Sequence, residues 1–351
     1  MRRLVALAVL ALALPASAED APVTPNAIVA AAPAADWQAI DPADLLVMDL
    51  APDRDGNPRR VVFQLIPAPF SQGWVGNIRK LAAAHWWDGT SINRVQDNYV
   101  VQWGDVTEKK ALPNGLTQPG EEQYSEQYKG QIDHYGPCPA PRGDEICKTT
   151  ERPADEAIAF FDNDSYTGNT GFYSGWPIGM KTTRAAPLVV SVSAPGSKRP
   201  PTDIPVQLDS TEMWPTHCYG MVGVGRNVSP DTGTGAELYT VIGQAPRQLD
   251  RNIALVGRII EGMENLSSLP RGHGDLGFYA DDEADKRVPI LSVRLGNEIR
   301  DLPRFEYLST ESKSFAAYVH SRANRKDDFY IQPAGGVDIC NVPVPIRRAP
   351  Q

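Results

Sequence analysis

Apolar positions in this chain come in short runs broken by turn residues rather than in long helical stripes. The first run is Leu45-Leu46-Val47-Met48-Asp49-Leu50; after Asp53-Arg54-Asp55-Gly56-Asn57 comes a second, Val61-Val62-Phe63-Gln64-Leu65. Two apolar runs around an Asp/Gly/Asn cluster predict a β-hairpin. From 74 to 84 the period changes. Val75, Ile78 and Leu81 recur at helical spacing and the segment closes at His85-Trp86-Trp87-Asp88-Gly89, which predicts a helix capping one end of a sheet. A strand is expected over 92–102, and further strands over 219–224, 237–242, 253–260 and 288–295, with a short helix over 262–269. Residues 106–215 are rich in Pro, Gly, Asp and Tyr and read as a long irregular insertion, either functional or partly disordered. Past 301, a helix is expected over 312–325, where Phe315, Tyr318 and Val319 form an apolar docking stripe. No internal repeat is evident.

Composition supports a mainly β chain. Of 351 residues, 29 are glycine and 31 proline, which suits short strands joined by turns better than a helical bundle. Hydrophobic residues, at 42%, are enough for a packed core. The balance of 34 Lys+Arg against 43 Asp+Glu gives −9 and a pI near 5.2, so no basic surface is expected to bind nucleic acid. Arg2 and Arg3 precede an apolar run over 4–14 that is too short to span a bilayer, and Ala16-Ser17-Ala18 supplies the small residues of a cleavage site. We therefore expect a signal peptide over 1–18, cleaved after Ala18, and a periplasmic or secreted product with no membrane contact afterwards. Loss of the two arginines takes the charge from −9 to −11. Residues 19–36 read as a flexible Ala/Pro tether, 37–300 as one domain interrupted by the insertion at 106–215, and 301–351 as an extension packed on it.

Candidate chemistry changes the picture in few places. Arg94 and Gln102 sit in a segment otherwise fit for burial, and a buried arginine without a nearby acid waits for a polar ligand; the bland alternative is an ordinary surface strand residue. Four cysteines in an exported chain imply disulfides. Cys138 and Cys147 suit a local bridge, and Cys218 and Cys340 become partners by elimination, a pairing sequence alone leaves open. A thiol centre at His217-Cys218 is disfavoured because adjacent strand residues face opposite ways. Gly223-Val224-Gly225 lacks the rest of a dinucleotide fingerprint. Asp162-Asn163-Asp164-Ser165-Tyr166-Thr167-Gly168 imitates a calcium loop but has Tyr166 at a ligand position. His85, His134, His273 and His320 show no metal spacing. Neither cofactor nor metal is expected.

Several motifs, taken in order, carry a resemblance. Asn77-Ile-Arg-Lys-Leu81, Asp88-Gly89 and Arg94-Val-Gln-Asp-Asn-Tyr-Val-Val-Gln102-Trp-Gly104-Asp105, followed by Gly235-Ala-Glu-Leu-Tyr-Thr-Val-Ile242, Leu249-Asp250-Arg-Asn252 and Val256-Gly257-Arg-Ile-Ile-Glu-Gly262-Met263, resemble the core of a cyclophilin. The matched parts cover about 45–105 and 218–295. The resemblance implies a closed eight-stranded antiparallel barrel capped by two helices, with a peptide groove on its outer face, and a peptidyl-prolyl cis-trans isomerase assisting the folding of proline-containing, exported clients. The rival is a proline-peptide binding module or chaperone with weak or no turnover.

The reaction needs neither nucleophile nor metal. Rotation about an X–Pro bond breaks amide resonance, against a barrier of ~18–20 kcal/mol. At the twisted transition state the proline nitrogen regains a lone pair, so a fixed cationic donor beside it binds that state better than either planar isomer. By its match to the family motif, Arg94 is implied as that donor and Gln102 as holder of a substrate carbonyl. Tyr99, Val100, Glu237, Tyr239, Gln248, Leu249 and Ile253 are implied as the substrate-binding wall. This chain departs from the family's usual groove residues at six of these positions. Val100 widens the pocket, Glu237 adds charge near Arg94, and Gln248 replaces an indole that the family uses to hold cyclosporin.

Overall fold

The computed structural model describes residues 24–128, 164–184, 209–325, 329–332 and 334–350, together with the short strands at 133–134, 158–162, 188–192 and 202–206. The expected leader and the Cys138–Cys147 pair lie outside the described residues.

Eight antiparallel strands close into a barrel. In spatial order they are Met221–Val224, Leu238–Val241, Val100–Gly104, Ser91–Val95, Val288–Leu295, Leu45–Leu50, Arg59–Leu65 and Leu255–Glu261, which pairs back onto Met221–Val224. The Leu45–Leu50/Arg59–Leu65 hairpin forms around the expected turn, where Asp53 Oδ1 accepts from the backbone N–H groups of Asp55 and Asn57. Successive side chains alternate sides, so Leu46, Met48, Val61, Phe63, Val101, Trp103, Val222 and Leu238 fill the interior core.

The expected helix is Gln72–Ala83, and it drives Trp74, Ile78 and Leu81 into one end of that core. Its buried Asn77 donates to Thr117 O at 2.6 Å and Thr234 O at 3.0 Å, pinning the loop that precedes Leu238–Val241. Asp88 clamps Arg294 with contacts of 2.8 and 2.7 Å. The second cap is shorter than the sequence predicts: a single turn, Glu264–Ser267, which buries Leu266.

Three expectations need correction. The strand over 92–102 is two strands, Ser91–Val95 and Val100–Gly104, because Gln96-Asp97-Asn98-Tyr99 turns the chain with Asn98 at φ 50°. The tether is ordered from Thr24: Pro25–Ala31 is a helix capped by the Thr24 hydroxyl, and its Ile28 and Val29 pack on the cluster around Phe315. The insertion is not structureless. It holds a six-stranded sheet in the order Glu126–Tyr128, Asp209–Pro215, Trp176–Arg184, Asn169–Tyr173, Ile158–Asp162, Asp133–His134, and a separate ribbon, Leu188–Val192/Thr202–Val206. Local periodicity misses this sheet because its buried Phe172, Ile178, Met180 and Trp214 alternate with Gly, Thr and Pro.

The extension's helix is Lys313–Ala323, and Phe305–Leu308 pairs with both Trp37–Ala39 and Ile346–Arg348. Segments from before and after the barrel thus share one sheet. Phe315 meets Phe172 of the insertion edge-on at 4.9 Å, and a Cys218–Cys340 disulfide fastens the extension to the barrel.

Candidate functional site

The Ser91–Val95/Val100–Gly104 hairpin brings the two singled-out polar residues together. Its register sets Arg94 opposite Gln102, and on the next strand Tyr239 is also opposite Gln102. Arg94, Gln102 and Tyr239 therefore form one row across three strands on the barrel's outer face. Val100 faces Val241 in the neighbouring row. Val100, Tyr239 and Val241 are buried, and Tyr99, Leu249 and Ile253 pack against them as an apolar floor.

This floor belongs to a groove of about 630 Å³ lined by Arg94, Tyr99, Val100, Gln102, Glu237, Tyr239, Leu249 and Ile253 among others. Gln248 does not line it. The turn Arg247–Leu249 points Leu249 into the groove and leaves Gln248 exposed. The sequence reading missed Asn93, Asp105, Leu276 and Phe278, which also line the groove. For the last two the available signal was Gly272-His273-Gly274-Asp275-Leu276-Gly277, a loop-forming run that crosses over Arg94.

Arg94 is held on three sides. Nε donates to Leu276 O at 2.7 Å, one terminal nitrogen to Gln102 Oε1 at 3.1 Å and the other to Gln96 Oε1. The guanidinium lies 5.2 Å from the Phe278 ring centroid and 5.7 Å from that of Tyr99. All three acceptors are neutral, and among the described residues no carboxylate pairs with this cation. Burial lowers its pKa, with the Tyr99 and Tyr239 phenols acting the other way; an arginine stays charged regardless. Three of its five N–H donors are engaged, leaving two for an incoming group. A fixed, positively charged fork beside an apolar floor suits a proline ring flanked by carbonyl acceptors.

Glu237 is the groove's unusual acid. Burial raises its carboxyl from 4.5 to about 7, against hydrogen bonds from Asn93, the Asp105 backbone and Gln102 that lower it. The calcium-like loop is used otherwise: Asp164 accepts from Tyr166 N–H at 2.9 Å and pairs with Arg247 at 3.2 Å. Among the described residues no group of three or more metal-ligating side chains gathers. The thiol reading at His217-Cys218 is excluded, since Cys218 is in the disulfide and both His217 ring nitrogens are bonded elsewhere.

Comparison with known proteins agrees with this geometry. The family model for the cyclophilin type peptidyl-prolyl cis-trans isomerase/CLD domain matches residues 59–295. A crystallised cyclophilin from Hirschia baltica superposes with a TM-score of 0.55 at 18% identity, over 92% of this chain and 96% of that one. A cyclophilin type peptidyl-prolyl cis-trans isomerase from Cryptosporidium parvum, crystallised in the presence of the dipeptide Ala-Pro, gives 0.33 at 10% identity, over 71% of this chain and 98% of that one. No curated protein sequence matches the chain.

Proposed function

Given that the chain belongs to the cyclophilin-type peptidyl-prolyl cis-trans isomerases, we propose that it accelerates X–Pro rotation in polypeptides exported alongside it, assisting their folding. In this reading the proline ring sits on Val100, Tyr239, Leu249 and Ile253, Gln102 holds a neighbouring carbonyl, and Arg94 meets the proline nitrogen as it pyramidalises. The observation that carries the reading is the half-buried guanidinium, fixed beside that floor with no acid partner among the described residues. A charge that no carboxylate neutralises, on a rigid mount, is worth most to a state that develops a lone pair there. Extracytoplasmic residence rests on the leader-like 1–18 segment. N-terminal sequencing of protein from a periplasmic extract should begin at Glu19, and an uncleaved cytoplasmic chain would end that part of the reading.

A protease-coupled assay on a short X–Pro peptide tests the mechanism. Arg94→Ala should lower kcat/KM by roughly ten- to a thousandfold, about 1.4–4 kcal/mol of transition-state stabilisation, with the fold intact. Undiminished activity in the folded variant would remove Arg94 from the mechanism. One observation favours the binding-module alternative: three of the guanidinium's N–H groups are already committed to protein acceptors. A wild-type chain that binds the peptide by NMR titration yet does not speed its isomerisation would select that alternative.

A further inference from the structure

Tyr239 contributes its ring to the groove, but its hydroxyl is bonded to His217 Nε2 at 2.9 Å, and that imidazole is only 1% exposed. His217 Nδ1 lies 2.9 Å from Asp250 Oδ1, which also accepts the His217 backbone N–H at 2.9 Å. Asp250 Oδ2 accepts from Arg247 Nε at 2.6 Å. The two terminal nitrogens of Arg247 reach Asp164 at 3.2 Å each, and its guanidinium lies 5.1 Å from the Tyr166 ring centroid. Asp164 and Tyr166 belong to the 106–215 insertion. A continuous chain of polar side chains therefore runs from the insertion to the groove wall, and His217, Arg247 and Asp250 are all buried.

The chemistry fixes the direction of each bond. Asp250 faces donors on both oxygens, so His217 carries its hydrogen on Nδ1 and leaves Nε2 as the acceptor for the tyrosine O–H. The hydroxyl is thereby hidden from the groove, and the ring plane, 13° from that of His217, is locked. Gly223 completes the arrangement, because a β-carbon there would overlap the Tyr239 phenol. Burying an arginine, an aspartate and an imidazole together is costly unless all are satisfied, and here each is.

We propose that His217 and Arg247 are positioning residues that lock the Tyr239 wall of the proline pocket and tie it to Asp164, so that the insertion sets how tightly the groove holds proline. This rests on the groove being the X–Pro site, and the test separates the two. Peptide affinity and turnover are measured by NMR titration and exchange for wild type, Asp164→Asn, Tyr239→Phe and the double variant, with Arg94→Ala alongside. Asp164→Asn and Tyr239→Phe should each raise KM about three- to tenfold while kcat changes less than about twofold. The double variant should be no worse than the weaker-binding single, since both break one chain. The ¹⁵N shifts of His217 should show the Nδ1-protonated tautomer in wild type, and Tyr239→Phe should shift Nε2.

Unchanged KM in folded variants, additive losses, or an Nε2-protonated His217 in wild type would each overturn the proposal. The tautomer measurement stands even if Asp164→Asn does not fold. If wild type neither binds the peptide nor turns it over, it is the groove reading that has failed, whereas an Arg94→Ala as active as wild type removes only Arg94 from the mechanism; in either case the His217 shifts still report on the relay itself.

Discussion

At Glu237 the protein keeps a carboxyl that holds its proton to about pH 7, where an unfolded chain would release it near 4.5. Between those values the native state binds a proton that the unfolded state has lost, so stability is greatest at the acid end of the window and falls as pH rises through it. The full shift amounts to about 3 kcal/mol at most. Glu237→Gln should abolish this slope and leave the variant more stable than wild type above pH 7, as read from urea midpoints at pH 5 and 8. An equal slope in both proteins would mean that Glu237 is solvated. Residue identity was the most legible level of the site: Arg94, Gln102 and the apolar floor could be named from motif order. Gln248 was assigned to the wall but is exposed, because the facing of residues in an irregular turn cannot be read from spacing alone.

The hairpin is the element on which the site depends, since its turn decides what Arg94 faces. Asn98 takes the left-handed conformation at φ 50°, and its Oδ1 accepts from Gln244 N–H at 2.9 Å, joining the turn to the loop that follows Leu238–Val241. Asn98→Val should cost about 1–2 kcal/mol for the backbone conformation, and about 1 kcal/mol more for the lost hydrogen bond. Asn98→Gly should cost less than Asn98→Val, and chemical denaturation of both variants distinguishes the contributions; equal losses would locate the cost outside the backbone. Asp97-Asn98 is a turn signal, yet the apolar residues on both sides made 92–102 read as one strand. A similar signal lies in the insertion, where Ser174-Gly175 joins Asn169–Tyr173 to Trp176–Arg184 with φ of 47° and 81°. Those strands are stabilised by distant partners such as Phe315, which local periodicity does not register.

For the whole molecule, motif order was enough to give the barrel, because its eight strands and capping helix all fall in the stretches that carry the resemblance. How the remaining chain surrounds it was not legible. The shared sheet of Trp37–Ala39, Phe305–Leu308 and Ile346–Arg348 joins residues more than two hundred and fifty positions apart. The Cys218–Cys340 bridge spans 122 residues, and loop-closure entropy sets its contribution at about 4–5 kcal/mol. Reduction should lower the urea midpoint correspondingly, and an unchanged midpoint would show that packing around Phe315 suffices without it. The same bond makes a covalent ring of the segment that carries both Tyr239 and the exposed Phe329 and Ile331. A protease cutting at that exposed site opens the ring without dividing the molecule. The clipped enzyme should migrate as one species under non-reducing electrophoresis, split only when reduced, and keep its groove; wherever a protease reaches that site, the clasp converts a severing cut into a survivable nick.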